Sequence, residues 1–80
     1  MARRDRVTVR WRAAAKRWLV ALEGVVLGGY ATKREAIAFG RRQGRYHWEV
    51  AGPTELVIYA MNGRICRRES YGKDPPRFKG

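Results

Sequence analysis

The residues of this chain best able to do covalent chemistry are few. They are His47, Cys66, Ser70 and seven carboxylates scattered over 80 residues. A Cys–His nucleophile pair needs both groups in hydrogen-bond reach and a third group to orient the base. The sequence puts Cys66 mid-strand and His47 late in a helix, and no spacing brings them together. Cys66 reads instead as a small hydrophobe, and His47 as a partly buried helix residue. One Cys cannot build a cysteine-based zinc site or close an intrachain disulfide, and with a single His as well no transition-metal site is expected within one chain. Gly24-Val25-Val26-Leu27-Gly28-Gly29 precedes a helix, but it lacks the Lys-Ser/Thr ending of a phosphate loop. It reads as a flexible β-to-α connection. No nucleophile–base–oxyanion set emerges. The expected protein is therefore non-enzymatic, with no cofactor and no metal.

Charge is the stronger signal. Eighteen Lys plus Arg stand against seven Asp plus Glu, a net charge of +11. The isoelectric point is about 11.1. Four of the eighteen are Lys, so fourteen are Arg. Arg offers a planar fork that matches phosphate and stacks on aromatic rings. Such a chain attracts polyanions before any specific contact forms, and a counter-charged partner relieves its self-repulsion. Trp11, Tyr30, Tyr46, Trp48, Tyr59 and Tyr71 are interleaved with the Arg residues, and bases can stack on such rings.

Composition bounds the rest. Eighty residues make one small domain, and 45 % hydrophobic residues support a packed core. No run approaches the roughly 18 apolar residues of a membrane span. Met1 to Arg6 is basic with no apolar signal core behind it, so the cytoplasm is the expected location. The expected organisation is a basic arm over 1–6, a single domain over 7–71, and a Pro-containing basic tail over 72–80.

Four strands and one helix must position the basic residues. Val7 to Arg12 alternates strictly, with Val7, Val9 and Trp11 on one face and Thr8, Arg10 and Arg12 on the other. Trp18 to Leu22 is a second strand, joined by a short hairpin link. Gly24 ends it, and Gly28-Gly29 reads as a loop. Thr32-Lys33-Arg34-Glu35 is a capping box, with Glu35 reaching back to the Thr32 amide. The helix it opens runs to about Trp48. Ala36, Ile37, Gly40, Gly44 and Trp48 share its buried side; Arg34, Arg41 and Arg45 share another. Glu55 to Ala60 and Arg64 to Glu69 are the last two strands, with Asn62-Gly63 as a two-residue turn. That turn opposes Val57 to Arg68, Tyr59 to Cys66 and Ala60 to Ile65. Leu56, Ile58, Ala60 and Ile65 then face the core, while Val57, Tyr59, Met61, Arg64, Cys66 and Arg68 face away. Trp18, Val20, Ile37, Leu56 and Ile58 are the expected buried set. The order β-β-α-β-β gives an α+β fold, a small antiparallel sheet with one helix packed on one face.

The ordered set Trp18-Leu19-Val20-Ala21-Leu22-Glu23-Gly24, Thr32-Lys33-Arg34-Glu35-Ala36-Ile37, Asn62-Gly63-Arg64-Ile65 and Ser70-Tyr71-Gly72-Lys73-Asp74-Pro75 resembles a family of short microbial proteins catalogued only as a domain of unknown function. Their usual pattern is a Trp strand ending in Glu-Gly, a Thr-Lys-x-Glu-Ala helix start, an Asp-Gly-Arg-Ile hairpin and a Ser-Tyr-Gly-x-Asp-Pro tail. The likeness covers residues 18–80. This chain departs at Asn62, where the family more often has Asp, in the segment from Arg45 to Pro53, and in its basic amino terminus. The resemblance implies a fold and no activity.

These observations lead to a nucleic-acid-binding protein that works mainly through phosphate contacts, with weak sequence preference. Duplex DNA stands ahead of RNA as the partner. The candidate contacts are Arg10, Arg12, Lys16 and Arg17 in the first hairpin, Arg64 and Arg68 in the last, and Tyr59 as a stacking ring. Arg34, Arg41 and Arg45 form a second possible surface. The competing reading is a protein-interaction module that docks an acidic protein surface, such as a phage or host regulatory factor. Homodimerisation through the bare sheet face fits both.

Overall fold

Five strands and one helix follow in the order β1 (Asp5–Arg12), β2 (Arg17–Leu22), β3 (Val25–Tyr30), α1 (Lys33–Ala51), β4 (Thr54–Tyr59) and β5 (Ile65–Tyr71). This computed structural model describes residues 4–72. Residues 1–3 of the expected arm and the tail from residue 73 lie outside the described residues. The strands form one sheet ordered β3-β2-β1-β4-β5, with α1 across one face. The class is α+β. Two features differ from the sequence reading: there is a fifth strand, and the sheet is mixed, because β1 and β4 run parallel. β1 also begins at Asp5, inside the expected arm.

Both fold differences have one cause. Glu23 and Gly24 have φ of 49° and 86°, the pair of positive values that a two-residue type I′ hairpin turn requires. The turn folds Val25–Tyr30 back onto β2, pairing Leu22 with Val25 and Trp18 with Tyr30. Gly28 and Gly29 therefore sit inside a strand rather than in a loop. A Cβ at Gly29 would lie 3.1 Å from Leu19 Cδ2, so the neighbouring side chain fills the space above it. Three strands before α1, rather than two, reverse the direction in which the chain enters the helix. The chain then leaves α1 to run β4 alongside β1 in the same sense.

α1 starts at the expected cap. Thr32 Oγ1 accepts the Glu35 amide at 3.2 Å and donates to the Glu35 carboxylate at 3.1 Å. Glu35 thus closes on the hydroxyl rather than on the Thr32 amide. The helix ends at Gly52, whose amide donates to the Trp48 carbonyl at 3.1 Å. Ala36, Gly40 and Gly44 are its buried residues. A Cβ at Gly40 would stand 3.1 Å from Val9 and 3.2 Å from Leu56, so the glycine lets the helix lie close on the sheet. Trp48, expected on the same buried side, is 43 % exposed. Tyr71, the last residue of β5, already covers Gly44, and Trp48 lies one helical turn beyond it, past the sheet.

Val7, Val9, Trp18, Val20, Ala36, Leu56 and Ile58 form the core, with Trp11, Leu22, Tyr30, Ile37, Phe39 and Tyr71 packed around it. Trp18, Val20, Leu56 and Ile58 are buried as expected, whereas Ile37 is only half-buried.

The last hairpin turns at Asn62-Gly63, but through three residues. Only Gly63 has positive φ. Ala60 and Arg64 close the loop with an amide–carbonyl bond of 2.7 Å, and Asn62 Oδ1 accepts the Arg64 amide at 3.0 Å. Such loops add a bulge. Val57 pairs with Arg68 as expected, but Tyr59 pairs with Ile65 instead of Cys66. Ile65 therefore leaves the core side, joins Tyr59 on the outer face and is 46 % exposed. Cys66 turns toward the helix, where its Sγ lies 3.4 Å from Lys33 Nζ.

Candidate nucleic-acid interface

Strand alternation builds the sheet face opposite α1. With Val7 and Val9 in the core, Arg6, Thr8, Arg10 and Arg12 of β1 point out. With Trp18, Val20 and Leu22 inward, β2 shows Arg17, Leu19 and Ala21. β4 adds Glu55, Val57 and Tyr59. Val57 is nonetheless buried, between its cross-strand neighbours Thr8 and Arg68.

The basic residues on this face divide into two sets. Arg12 and Arg17 stand directly opposite each other at the end of the first hairpin, and like charges so placed repel. Lys16 sits in the adjoining turn with φ 54°. The Arg10 guanidinium carbon lies 4.2 Å from the Tyr59 ring centroid. Among the described residues no carboxylate pairs with Arg10, Arg12, Lys16 or Arg17. Arg68 differs. Its Nη1 lies 2.9 Å from Glu55 Oε2, and Arg6 Nε lies 3.5 Å from Glu55 Oε1. Arg64 precedes β5, at the corner of the last hairpin. The structure therefore sets Arg10 against Tyr59 and Arg12 against Arg17, with Lys16 in the adjoining turn; Arg64 stands opposite Ala60 at the last hairpin, and Arg68 shares Glu55 with Arg6.

A shallow groove of about 410 Å³ runs over this face, lined among others by Arg10, Arg12, Leu19, Ala21, Val26 and Tyr59. Its apolar side was missed in the sequence reading. The alternation of β2 carried the signal, since burying Trp18, Val20 and Leu22 exposes Leu19 and Ala21.

The second basic surface lies on the other side of the molecule. Arg41 donates through Nε and Nη2 to both oxygens of Glu69, at 3.0 and 2.7 Å. That hydrogen bonding holds the Glu69 carboxyl below its ordinary range and the Arg41 guanidinium above its own. Tyr71 donates to Glu69 Oε1 at 3.3 Å, and burial first, then the Glu69 charge, pushes its hydroxyl pKa up. Arg34 and Arg45 are exposed.

The nucleophile candidates stay apart. Cys66 is exposed and meets Lys33. His47 Nε2 lies 2.7 Å from Asp5 Oδ2. Lys33 and His47 are fourteen positions apart along α1, about 21 Å at 1.5 Å per residue. Ser70 pairs with Glu55 across the last hairpin. The described residues contain no group of three or more metal-binding side chains. The segment from Gly24 to Gly29 is no β-to-α connection: Gly24 closes the β2–β3 turn and the rest lies in β3.

Fold and face together define a small α+β domain with a mixed five-stranded sheet. The chain belongs to the DUF2188 family, described as an uncharacterised protein conserved in bacteria, which it matches over residues 7–71. That span opens in β1 and closes with β5. No curated protein and no solved structure matches the chain. Among the described residues, no helix is long and apolar enough to cross a membrane.

Proposed function

We propose that this protein is a non-enzymatic nucleic-acid-binding module that presents the outer face of its sheet to phosphates. One observation carries the reading. Arg10, Arg12, Lys16 and Arg17 gather on the face that α1 leaves bare, without a carboxylate partner among the described residues. Opposed cations such as Arg12 and Arg17 lose their repulsion when a phosphate lies between them. Tyr59, held under Arg10, offers a ring beside that cluster. Binding is dominated by phosphate contacts and reads sequence weakly. Duplex DNA is the first partner to test and RNA the second. The distance between Cys66 and His47 supports a binding role over catalysis. Such a module would act in the cytoplasm, where bacterial nucleic acid lies.

The experiment is purification without nuclease, followed by analysis of what travels with the protein. The reading expects copurifying nucleic acid that nuclease removes and high salt strips. A protein that emerges free of nucleic acid and retards neither DNA nor RNA at low salt contradicts it. An acidic protein surface then becomes the leading partner.

A further inference from the structure

Resting on the nucleic-acid reading, we propose that the outer sheet face takes single-stranded DNA, with unstacked bases on an apolar row and phosphates on the arginines beside it. Register lays the row out. Leu19 pairs with Arg10 on one side and with Gly29 on the other. Val9 pairs with Ile58, so Arg10 stands beside Tyr59, and Tyr59 pairs with Ile65. One line across the face therefore reads Gly29, Leu19, Arg10, Tyr59, Ile65. Gly29 puts no side chain beside Leu19, and Ile65 is 46 % exposed. Ala21 and its partner Val26 widen the apolar floor, and Val26 is 56 % exposed. Arg12 and Arg17 form the next outward pair of β1 and β2, about 7 Å along the strands from Arg10 and Leu19.

Cationic and apolar surfaces thus run side by side, and a duplex uses only the first. Five strands at about 4.8 Å span about 19 Å between the outer two, too wide for a major groove of about 12 Å. The face then meets only phosphate ridges, and Leu19, Val26 and Ile65 stay uncovered. A single strand turns its bases to the row while its backbone follows Arg12 and Arg17. Tyr59 is the stacking platform. It lines the main groove and a smaller one of about 90 Å³ shared with Arg10, Ala60 and Met61. The Arg10 guanidinium over that ring is itself a plane on which a base can stack. From Leu19 to Ile65 the row crosses three strand gaps, about 14 Å, room for about four stacked nucleotides at 3.4 Å each. Leu19, Ala21 and Val26 offer no partner to a 2′-hydroxyl, and desolvating one against them costs free energy that deoxyribose avoids. That selects DNA over RNA.

Fluorescence anisotropy of the full chain, freed of nucleic acid, tests this with three labelled probes. They are a thymidine strand of about twelve nucleotides, its duplex with the adenine complement, and the same bases on a ribose backbone. Charge alone favours the duplex, which carries twice the charge per unit length, so a preference for the single strand comes from its bases. The thymidine strand is expected to bind about 10-fold tighter than the duplex at moderate salt, and tighter than its ribose counterpart. Tyr59→Leu is expected to weaken the single strand about 10-fold and the duplex much less. Circular dichroism checks the fold. If Tyr59→Leu does not fold, Val26→Ser, at an exposed position, carries the same comparison. Duplex binding that equals or exceeds single-strand binding overturns the proposal and leaves the phosphate reading standing. So does a folded variant that keeps the full single-strand preference. A ribose strand that binds as tightly as the deoxyribose one overturns the assignment to DNA. Binding to none of the three overturns the nucleic-acid reading itself.

Discussion

Arg10 stacks on Tyr59, guanidinium over ring at 4.2 Å, although one lies in the first strand and the other in the fourth. The parallel register makes this possible: Val9 pairs with Ile58, so the next residue of each strand emerges on the outer face side by side. A stacked, half-exposed cation–π pair is worth about 0.5–1 kcal/mol. Tyr59→Leu is therefore expected to lower the urea midpoint slightly. It should also weaken nucleic-acid binding without changing its salt dependence, because no charge is lost. A salt slope that changes by a full unit would count against this assignment.

The core makes a sharper demand on register. Ile58 is 2 % exposed whereas Ile65 is 46 % exposed. Ile58→Ala should cost about 2–5 kcal/mol, and Ile65→Ala should stay within roughly 0.5 kcal/mol. Denaturant unfolding measures both. Equal losses would mean that the hairpin register is that of a two-residue turn after all.

Most of the fold was legible because its signals were local. The alternation of β1 and β2 and the Thr32 cap each depend on neighbours a few residues apart. β3 was missed because Gly28-Gly29 looks like a loop when only sequence is seen. In the sheet those glycines are covered by Leu19, Tyr30 and Phe39, which no local rule reveals. Missing one strand reversed the sense of everything after the helix, and so turned a mixed sheet into an antiparallel one. The bulge that moved Ile65 outward follows from φ at Asn62, which a dipeptide does not determine. Of the candidate residues, strand alternation was enough to put Arg10 and Arg12 on the outer face, where the structure has them. The pairing of Arg68 with Glu55 joins strands 13 residues apart and was invisible until the register was known.

Gly44 offers a test of helix packing. Alanine there would gain about 1 kcal/mol of helix propensity, but its Cβ would meet the Tyr71 ring at 2.8 Å. Overpacking of that kind costs about 1–3 kcal/mol. Gly44→Ala is expected to destabilise the wild-type chain and to stabilise a Tyr71→Ala background. A double-mutant cycle reads the coupling directly, and a coupling near zero would place the ring elsewhere.

The Arg41–Glu69 pair predicts a pH dependence of stability. The Glu69 carboxyl is held below its ordinary value of 4.5, chiefly by the Arg41 hydrogen bonds. Its contribution is therefore complete above 4.5 and disappears as pH falls through the lower folded value. Tyr71, raised by burial, adds the mirror effect: stability is lost as alkaline pH rises through its folded value. The difference in unfolding midpoint between wild type and Glu69→Gln should shrink on acidification below 4.5. A difference that stays constant to the lowest accessible pH would show that Glu69 titrates as an ordinary exposed carboxyl.

The salt dependence of duplex binding tests the central claim most directly. Each phosphate neutralised contributes about −0.9 to the slope of log affinity against log salt for duplex DNA. Arg10→Gln combined with Arg12→Gln is expected to flatten that slope by about two units with the fold intact. Arg68→Gln should flatten it less, because that guanidinium is already engaged by Glu55, which it shares with Arg6. An unchanged slope in the double variant, with a flatter one when Arg34 and Arg45 are replaced by Gln, would move the interface to the helix. A wild-type chain that retards neither duplex DNA nor RNA at low salt would contradict the account altogether.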